Sequence, residues 1–295
     1  MKRKEVTNMN KVYEIVTDRL IEEMEKGIIP WAKPWTGGEA WSRSTGKGYS
    51  VINCILLHDK GEYATFKQIQ AEGGKVNKGA KASMIIFFKA TPLTDKDGNP
   101  VTDATTGKAK MIPILRYYNV FNIKDTNLQQ KYNKPAGLDN TENMTAEDII
   151  NEYVQREGVT FHTVNGSDRA FYAPITDSIT VPDITQFVGS EEYYSTAFHE
   201  LAHSTGHHSR LGRISLTDVA AFGSEDYSKE ELIAEITSAA LMNHIGLETP
   251  KTFRNSAAYL QNWIQALKND KTLFVSAAGK AGKAFDLILN TEARA

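Results

Sequence analysis

The sequence holds a single cysteine, Cys54, among 295 residues, so no disulfide can form within the chain. That matches a reducing, cytoplasmic setting, where thiols stay reduced. Long apolar runs are also missing. None approaches the roughly 18 consecutive residues that span a bilayer, so no membrane association is expected. The start, Met1-Lys2-Arg3-Lys4, is basic but is not followed by the apolar stretch of a signal peptide. Neither sign of charge dominates, with 34 Lys+Arg against 36 Asp+Glu. An apolar content of 41% is ordinary for a globular protein and excludes a chain that stays disordered for want of a core.

The overall charge balance hides an asymmetry. Residues 1–130 carry 20 Lys+Arg and 14 Asp+Glu, a net of +6, while residues 131–295 carry 14 and 22, a net of −8. The chain is longer than the usual domain of roughly 100–200 residues. Two units with different partners are therefore expected.

The first half reads as a compact α/β unit. Val12, Ile15, Val16, Leu20, Ile21 and Met24 recur at helical spacing over residues 8–26, and Gly27 ends the run. Pro30 and Pro34 forbid a continuing helix and fix the segment that carries Trp31 and Trp35. Thr65-Phe66-Lys67-Gln68 predicts a capping box and a short helix that stops at Gly73-Gly74. Residues 84–88 and 116–123 predict two strands around a long polar hairpin loop at 92–112. Bases and aromatics alternate throughout this half. Trp31, Lys33, Trp35, Lys75, Lys78 and Tyr118 are the candidate contacts for single-stranded DNA. Cations follow the phosphates, and flat rings stack on unpaired bases.

Several strings in this half carry a family resemblance. They are Glu25-Lys26-Gly27-Ile28-Ile29-Pro30-Trp31 with Lys33-Pro34-Trp35, then Gly46-Lys47-Gly48-Tyr49 with Ile52-Asn53, then Thr65-Phe66-Lys67-Gln68. Gly74-Lys75-Val76, Lys78-Gly79 and Tyr118-Asn119-Val120-Phe121-Asn122 complete the series. In this order over residues 10–125 they resemble the N-terminal domain of ArdC-type antirestriction proteins. The resemblance implies a single-stranded-DNA-binding module of the kind found on plasmids, conjugative elements and phages, with relatives fused to plasmid primases. It also implies a C-terminal zincin-like metallopeptidase domain. The fold class expected is α+β in two domains: an α/β DNA-binding domain at 1–125, a linker at 126–144, and the zincin-like domain at 145–295.

The second half carries the chemistry. Thr145 is placed to cap a helix to about Arg156, followed by strand pieces at 159–164, 170–174 and 178–182. A helix capped by Ser190 and ending near Ser204 contains His199-Glu200-Leu201-Ala202-His203. Histidines four apart share one helix face and can bind one metal. Glu200, beside the first ligand, is the candidate general base. A catalytic zinc has three protein ligands and an open position, so one Zn2+ per chain needs a third ligand. The metzincin pattern fails because Ser209 stands where a histidine is required. The alternative is Glu231 or Glu235 on a helix opening near Ser228 and ending at Gly246. These two are also four apart, so one can ligate and the other hold a ligating histidine. Glu231 is the first choice, although Ser228-x-x-Glu231 is also a capping box.

His199 to His203, Thr205-Gly206, Arg210-Leu211, Arg213 and Glu230-Glu231-Leu232 with Ala234-Glu235 likewise resemble the C-terminal domain of the ArdC family. His207 and His208 read first as exposed loop histidines; the alternative is that one of them, or Tyr194 or Tyr227, serves as an oxyanion donor. Residues 178–181 are the candidate edge strand for a peptide substrate. Two amphipathic helices at about 256–268 and 272–290 are expected to pack the domain. Two functions remain open at this level. One is a zinc metallopeptidase steered to single-stranded DNA. The other is a DNA-binding protective protein whose metal site is structural. A peptidase toxin would leave the first half without a role.

Overall fold

The computed structural model describes residues 2–32, 40–57, 59–95, 97–102, 109–132, 146–187, 189–213, 225–247 and 257–291. Lys33, Trp35 and Thr145, which the sequence singles out, lie outside the described residues.

The architecture is α+β. The first half runs α1 (Lys2–Glu25), a 3-10 turn at Pro30–Ala32, β1 (Ala40–Ser42), α2 (Val51–Leu56), β2 (Gly61–Thr65), α3 (Phe66–Ala71), β3 (Ser83–Pro92) and β4 (Met111–Asn122). The second runs α4 (Ala146–Glu157), β5 (Thr160–Val164), β6 (Phe171–Ala173), β7 (Ser178–Pro182), α5 (Ser190–Ser204), α6 (Glu225–His244), α7 (Ala257–Asn269) and α8 (Leu273–Ile288).

In α1, Val12, Val16, Leu20 and Met24 recur every fourth residue and are all buried. Gly27 takes a φ of +79°, the left-handed turn that ends the helix. The capping box at Thr65 and Gln68 forms as the sequence predicts. Both strands of the long hairpin reach further into its loop than residues 84–88 and 116–123 imply.

The first sheet has the order β1-β2-β4-β3, with β1 parallel to β2 and the other pairs antiparallel. Ile86 opposes Tyr117 and Ile85 opposes Tyr118, so the two faces separate cleanly. Met84, Ile86 and Leu115 point into the main core, while Ile85 and Val120 cover a small cluster with Tyr49 and Tyr63. Asn53 of α2 blunts the edge of β3: its amide donates to Ile86 O at 2.9 Å and accepts from Ile86 N–H at 2.8 Å.

The expected linker begins later than position 126. Buried Glu62 accepts from the backbone N–H groups of Lys131 and Tyr132, at 2.9 and 3.1 Å. Arg43 holds the same carboxylate and donates to Gln129 O at 2.9 Å. Residues 126–132 are therefore fastened to the first sheet.

The two halves share one apolar core. Val16, Leu20, Met24 and Trp31 belong to the same buried cluster as Phe198, Leu232, Leu241, Trp263 and Phe274. Trp31 packs its ring against Phe274 at 5.5 Å and edge-on to Trp263 at 6.3 Å. A chain with two separate cores would show this boundary as a polar seam; here it is apolar.

The second sheet has the order β5-β7-β6. β7 pairs with β5 on one side and with β6 on the other, so residues 178–181 form the central strand and not the expected edge. Ile179 and Val181 are fully buried, which explains their strand-like sequence without any open edge.

Candidate metal centre

Helix α5 carries the HExxH string through its last turns. Its N-cap is Gly189, one residue before the serine that the sequence suggests. Ala197, Phe198, Leu201 and Ala202 bury the inner face, which presents His199 and His203 toward α6. Helix α6 starts at Glu225, so Ser228 stands inside the helix and cannot be its N-cap. That removes the capping role considered for Glu231.

Glu231 meets both histidines. Its Oε2 lies 3.3 Å from His199 Nε2, its Oε1 lies 3.4 Å from His203 Nε2, and the two Nε2 atoms are 3.1 Å apart. One donor atom from each residue falls within a 4.8 Å cluster. A tetrahedral ion with bonds of about 2.0–2.1 Å requires donors about 3.3–3.4 Å apart. Two imidazoles and a carboxylate gathered this closely can draw in around one divalent metal, with either or both Glu231 oxygens as donors. Burial works against a charged His203, but hydrogen bonds to Glu230 and Glu231 and the Glu200 charge push its pKa up to about 10.

Glu230 is a residue that the sequence reading missed. Its Oε1 lies 3.7 Å from His203 Nδ1, and Arg213 grips the same carboxylate at 2.8 and 3.1 Å. Burial would raise the Glu230 pKa, but the bonds from His203 and Arg213 outweigh it and hold the group ionised below the usual carboxylate range. Arg213 also donates to Ala202 O and Thr205 Oγ1, both at 3.0 Å. It thereby ties the loop after α5 to both helices of the donor cluster.

Glu235 does not play the part suggested for it. It is buried and accepts from Trp31 Nε1–H at 3.4 Å, whereas His199 Nδ1, also buried, has no hydrogen-bond partner. Glu200, next to His199 on α5, is buried.

A second polar cluster braces the same loop. Arg210 donates to Ser204 O at 2.8 Å and to Asp177 Oδ2 at 2.9 Å, and Tyr172 O–H donates to Asp177 Oδ1 at 2.7 Å. His207 joins it, 3.9 Å from Asp177 Oδ2 and 2.7 Å from Ser209 Oγ. It is buried rather than an exposed loop histidine, and burial holds its pKa below the ordinary imidazole value. Its neighbour His208 is exposed. Tyr194 O–H donates to Glu147 at 3.0 Å, away from the metal cluster, and the side chain of Tyr227 lies outside the described residues.

Of the residues considered for DNA, Trp31 is only 2% exposed and is a core residue, because its ring fills the space between the halves. Lys75 and Lys78 are exposed, and Tyr118 is 44% exposed. Phe87 and Arg116 oppose each other in the sheet on the face that Tyr118 shares, and both are exposed.

Comparison with known proteins agrees with this geometry. Residues 10–121 match the model of the N-terminal domain of anti-restriction factor ArdC, and residues 148–280 match that of a zincin-like metallopeptidase. The metal-free crystal structure of the antirestriction ArdC protein from the R388 plasmid superposes with a TM-score of 0.71 and 34% identity, covering 95% of this chain and 98% of that one. The chain belongs to the ArdC family of antirestriction proteins. A Mn(II)-bound structure of the same R388 protein matches with a TM-score of 0.70 and 33% identity, over 94% and 97% of the two chains. The R388 protein has thus been solved both without metal and with Mn(II). DNA primase TraC of Escherichia coli is 38% identical over 294 residues, which is 95% of this chain. The chain spans only 20% of the length of that relative. Among the described residues, no helix is long and apolar enough to cross a membrane.

Proposed function

We propose that this ArdC-family chain binds single-stranded DNA through its first half and holds one zinc ion on His199, His203 and Glu231 in a hydrolytic site. The observation that carries the reading is the donor cluster, whose 3.1–3.4 Å spacings let it draw in around one ion. Bound zinc would act as a Lewis acid and bring the pKa of a water molecule to about 7. The residues of the chain supply the rest. Glu200 takes a proton from the attacking water and returns it to the leaving amine. Glu230 and Arg213 keep the His203 ring aligned. With β7 central, a peptide would pair with the antiparallel edge strand β6, which packs against α5.

For DNA, Tyr118, Phe87 and Arg116 offer two rings and a cation on one sheet face, as single strands require. Lys75 and Lys78 add charge near the end of the same strand, because Asn77 N–H donates to Asp125 O just past β4.

Metal-loaded protein is incubated with a mixture of denatured proteins, and new peptide termini are read by mass spectrometry. Metal-dependent cleavage that Glu200→Ala abolishes is the expected result. Cleavage that persists in that variant refutes the assignment of Glu200, and no cleavage refutes the hydrolytic reading. Parallel protection assays in cells with Glu200→Ala and Tyr118→Ala then tell which of the two activities shields DNA.

A further inference from the structure

The contact between Trp31 and Glu235 crosses the two halves of the chain. Trp31 sits on the 3-10 turn at Pro30–Ala32, and its indole N–H reaches Glu235 on α6, 204 positions along the sequence. Glu235 is one helical turn beyond Glu231, so both carboxylates share a face of α6. Both partners are buried, at 2% and 6% exposure. A buried carboxylate is costly to leave unpaired, so this bond constrains where α6 can lie. The ring itself packs against Phe274 of α8, a contact that stabilises the core without reaching the donor residues. The first half thus reaches to within one turn of a metal donor.

We infer that Trp31 is a positioning residue for the metal centre: through Glu235 it fixes α6, and with it the carboxylate of Glu231. The inference rests on the metal reading of His199, His203 and Glu231. It assigns to the DNA-binding half a structural share in metal affinity. Metal binding and the docking of that half are therefore linked, and each strengthens the other.

The test uses the full chain and zinc alone, with affinity measured by competition against a chromogenic chelator and with melting of the metal-free form recorded alongside. His203→Ala serves as the reference that loses zinc; if it keeps zinc, the metal reading itself has failed. With that reference in place, Trp31→Phe keeps a ring but loses the donor and should weaken zinc about tenfold, the low end for outer partners of metal ligands. Glu235→Leu should do the same, and the double variant should be no worse than either alone. Glu235→Gln retains an acceptor oxygen and should stay near the parent. Phe274→Leu disturbs only the packing of the ring and should lower the melting temperature without changing zinc affinity. Parent-like zinc affinity in both Trp31→Phe and Glu235→Leu overturns the inference. So does a loss in Phe274→Leu equal to that in Trp31→Phe, since the ring would then act by packing alone.

Discussion

Replacing Glu231 by glutamine is the sharpest perturbation of the metal centre. The substitution keeps size and shape but removes the charge and one good donor oxygen. Glu231 is the residue that touches both imidazoles, at 3.3 and 3.4 Å, so its loss leaves two ligands where three converge. Loss of an outer partner typically costs 10–100-fold in metal affinity, and loss of a direct ligand should exceed that, at roughly 100-fold or more. A hundredfold change is about 2.7 kcal/mol. Thermal shift makes it visible. At metal equal to 100 times the parent dissociation constant, the parent gains about 2.7 kcal/mol, while a variant binding 100-fold more weakly gains only about 0.4 kcal/mol. At about 2–4 °C per kcal/mol, the parent should rise by about 5–10 °C and Glu231→Gln by about 1 °C. Glu235→Gln should keep most of the parent's shift, because Glu235 bonds Trp31 and not the ion. If Glu231→Gln keeps the full shift, or Glu235→Gln loses as much, the third ligand has been misassigned.

Three further outcomes are expected. Elemental analysis should find about one zinc per chain, absent from His199→Ala and His203→Ala but kept in Glu200→Ala, as the proposed roles of donor and base require. Tyr118→Ala should weaken binding of a labelled single-stranded oligonucleotide by about 1–3 kcal/mol in fluorescence anisotropy while leaving the melting temperature unchanged; duplex binding equal to single-strand binding would remove the stacking argument. Asp177→Asn should cost about 1–3 kcal/mol in a denaturant melt, because Arg210 loses a charged partner. Burial would raise the Asp177 pKa, but Arg210 and Tyr172 more than offset it, so the folded value is depressed. Its contribution is then full above about pH 4 and disappears as pH falls through the folded value, so a plot of melting temperature against pH should lose that acid limb in the variant.

The legible parts of the fold were those governed by local rules. The four-residue apolar repeat of α1, the capping box at Thr65 and the HExxH helix depend on neighbours in sequence, and each forms, although α1 starts at Lys2, six residues before the apolar repeat implies. The third donor was legible only as a choice between Glu231 and Glu235. Spacing of four puts both on one face of α6, and only the position of α5 across from it separates them. Glu230 was hidden for a related reason. It adjoins Glu231, so helical periodicity points it elsewhere, yet Arg213 draws its carboxylate to His203 from a loop 17 positions away. β1, β2 and α2 went unread because they are three to six residues long, too short for a period to show. Residues 178–181 were misread as an edge because composition tells how buried a strand is, not how many neighbours it has.

The misplacement of Trp31 has the same origin, and it changes how the two halves relate. A tryptophan between prolines in a basic segment suits a DNA surface and suits a core equally well, since both uses exploit a rigid ring with a polar edge. The structure spends the ring on Trp263 and Phe274 and the N–H on Glu235. Stacking on a base would require the same ring to leave a core in which it is 2% exposed, at a cost of several kcal/mol against the 1–3 kcal/mol that one stacked base returns. The proposed DNA contact therefore falls to rings that are already outside, and Phe87 and Tyr118 on the outer face of the β3–β4 sheet meet that condition. The opposite face of the same two strands, through Ile86 and Leu115, belongs to the core that also holds Leu232 of α6, next to Glu231, the proposed metal donor. One two-stranded ribbon thus carries the candidate DNA face outward and the packing contact inward, which is why the first half cannot be a freely tethered module beside the metal site.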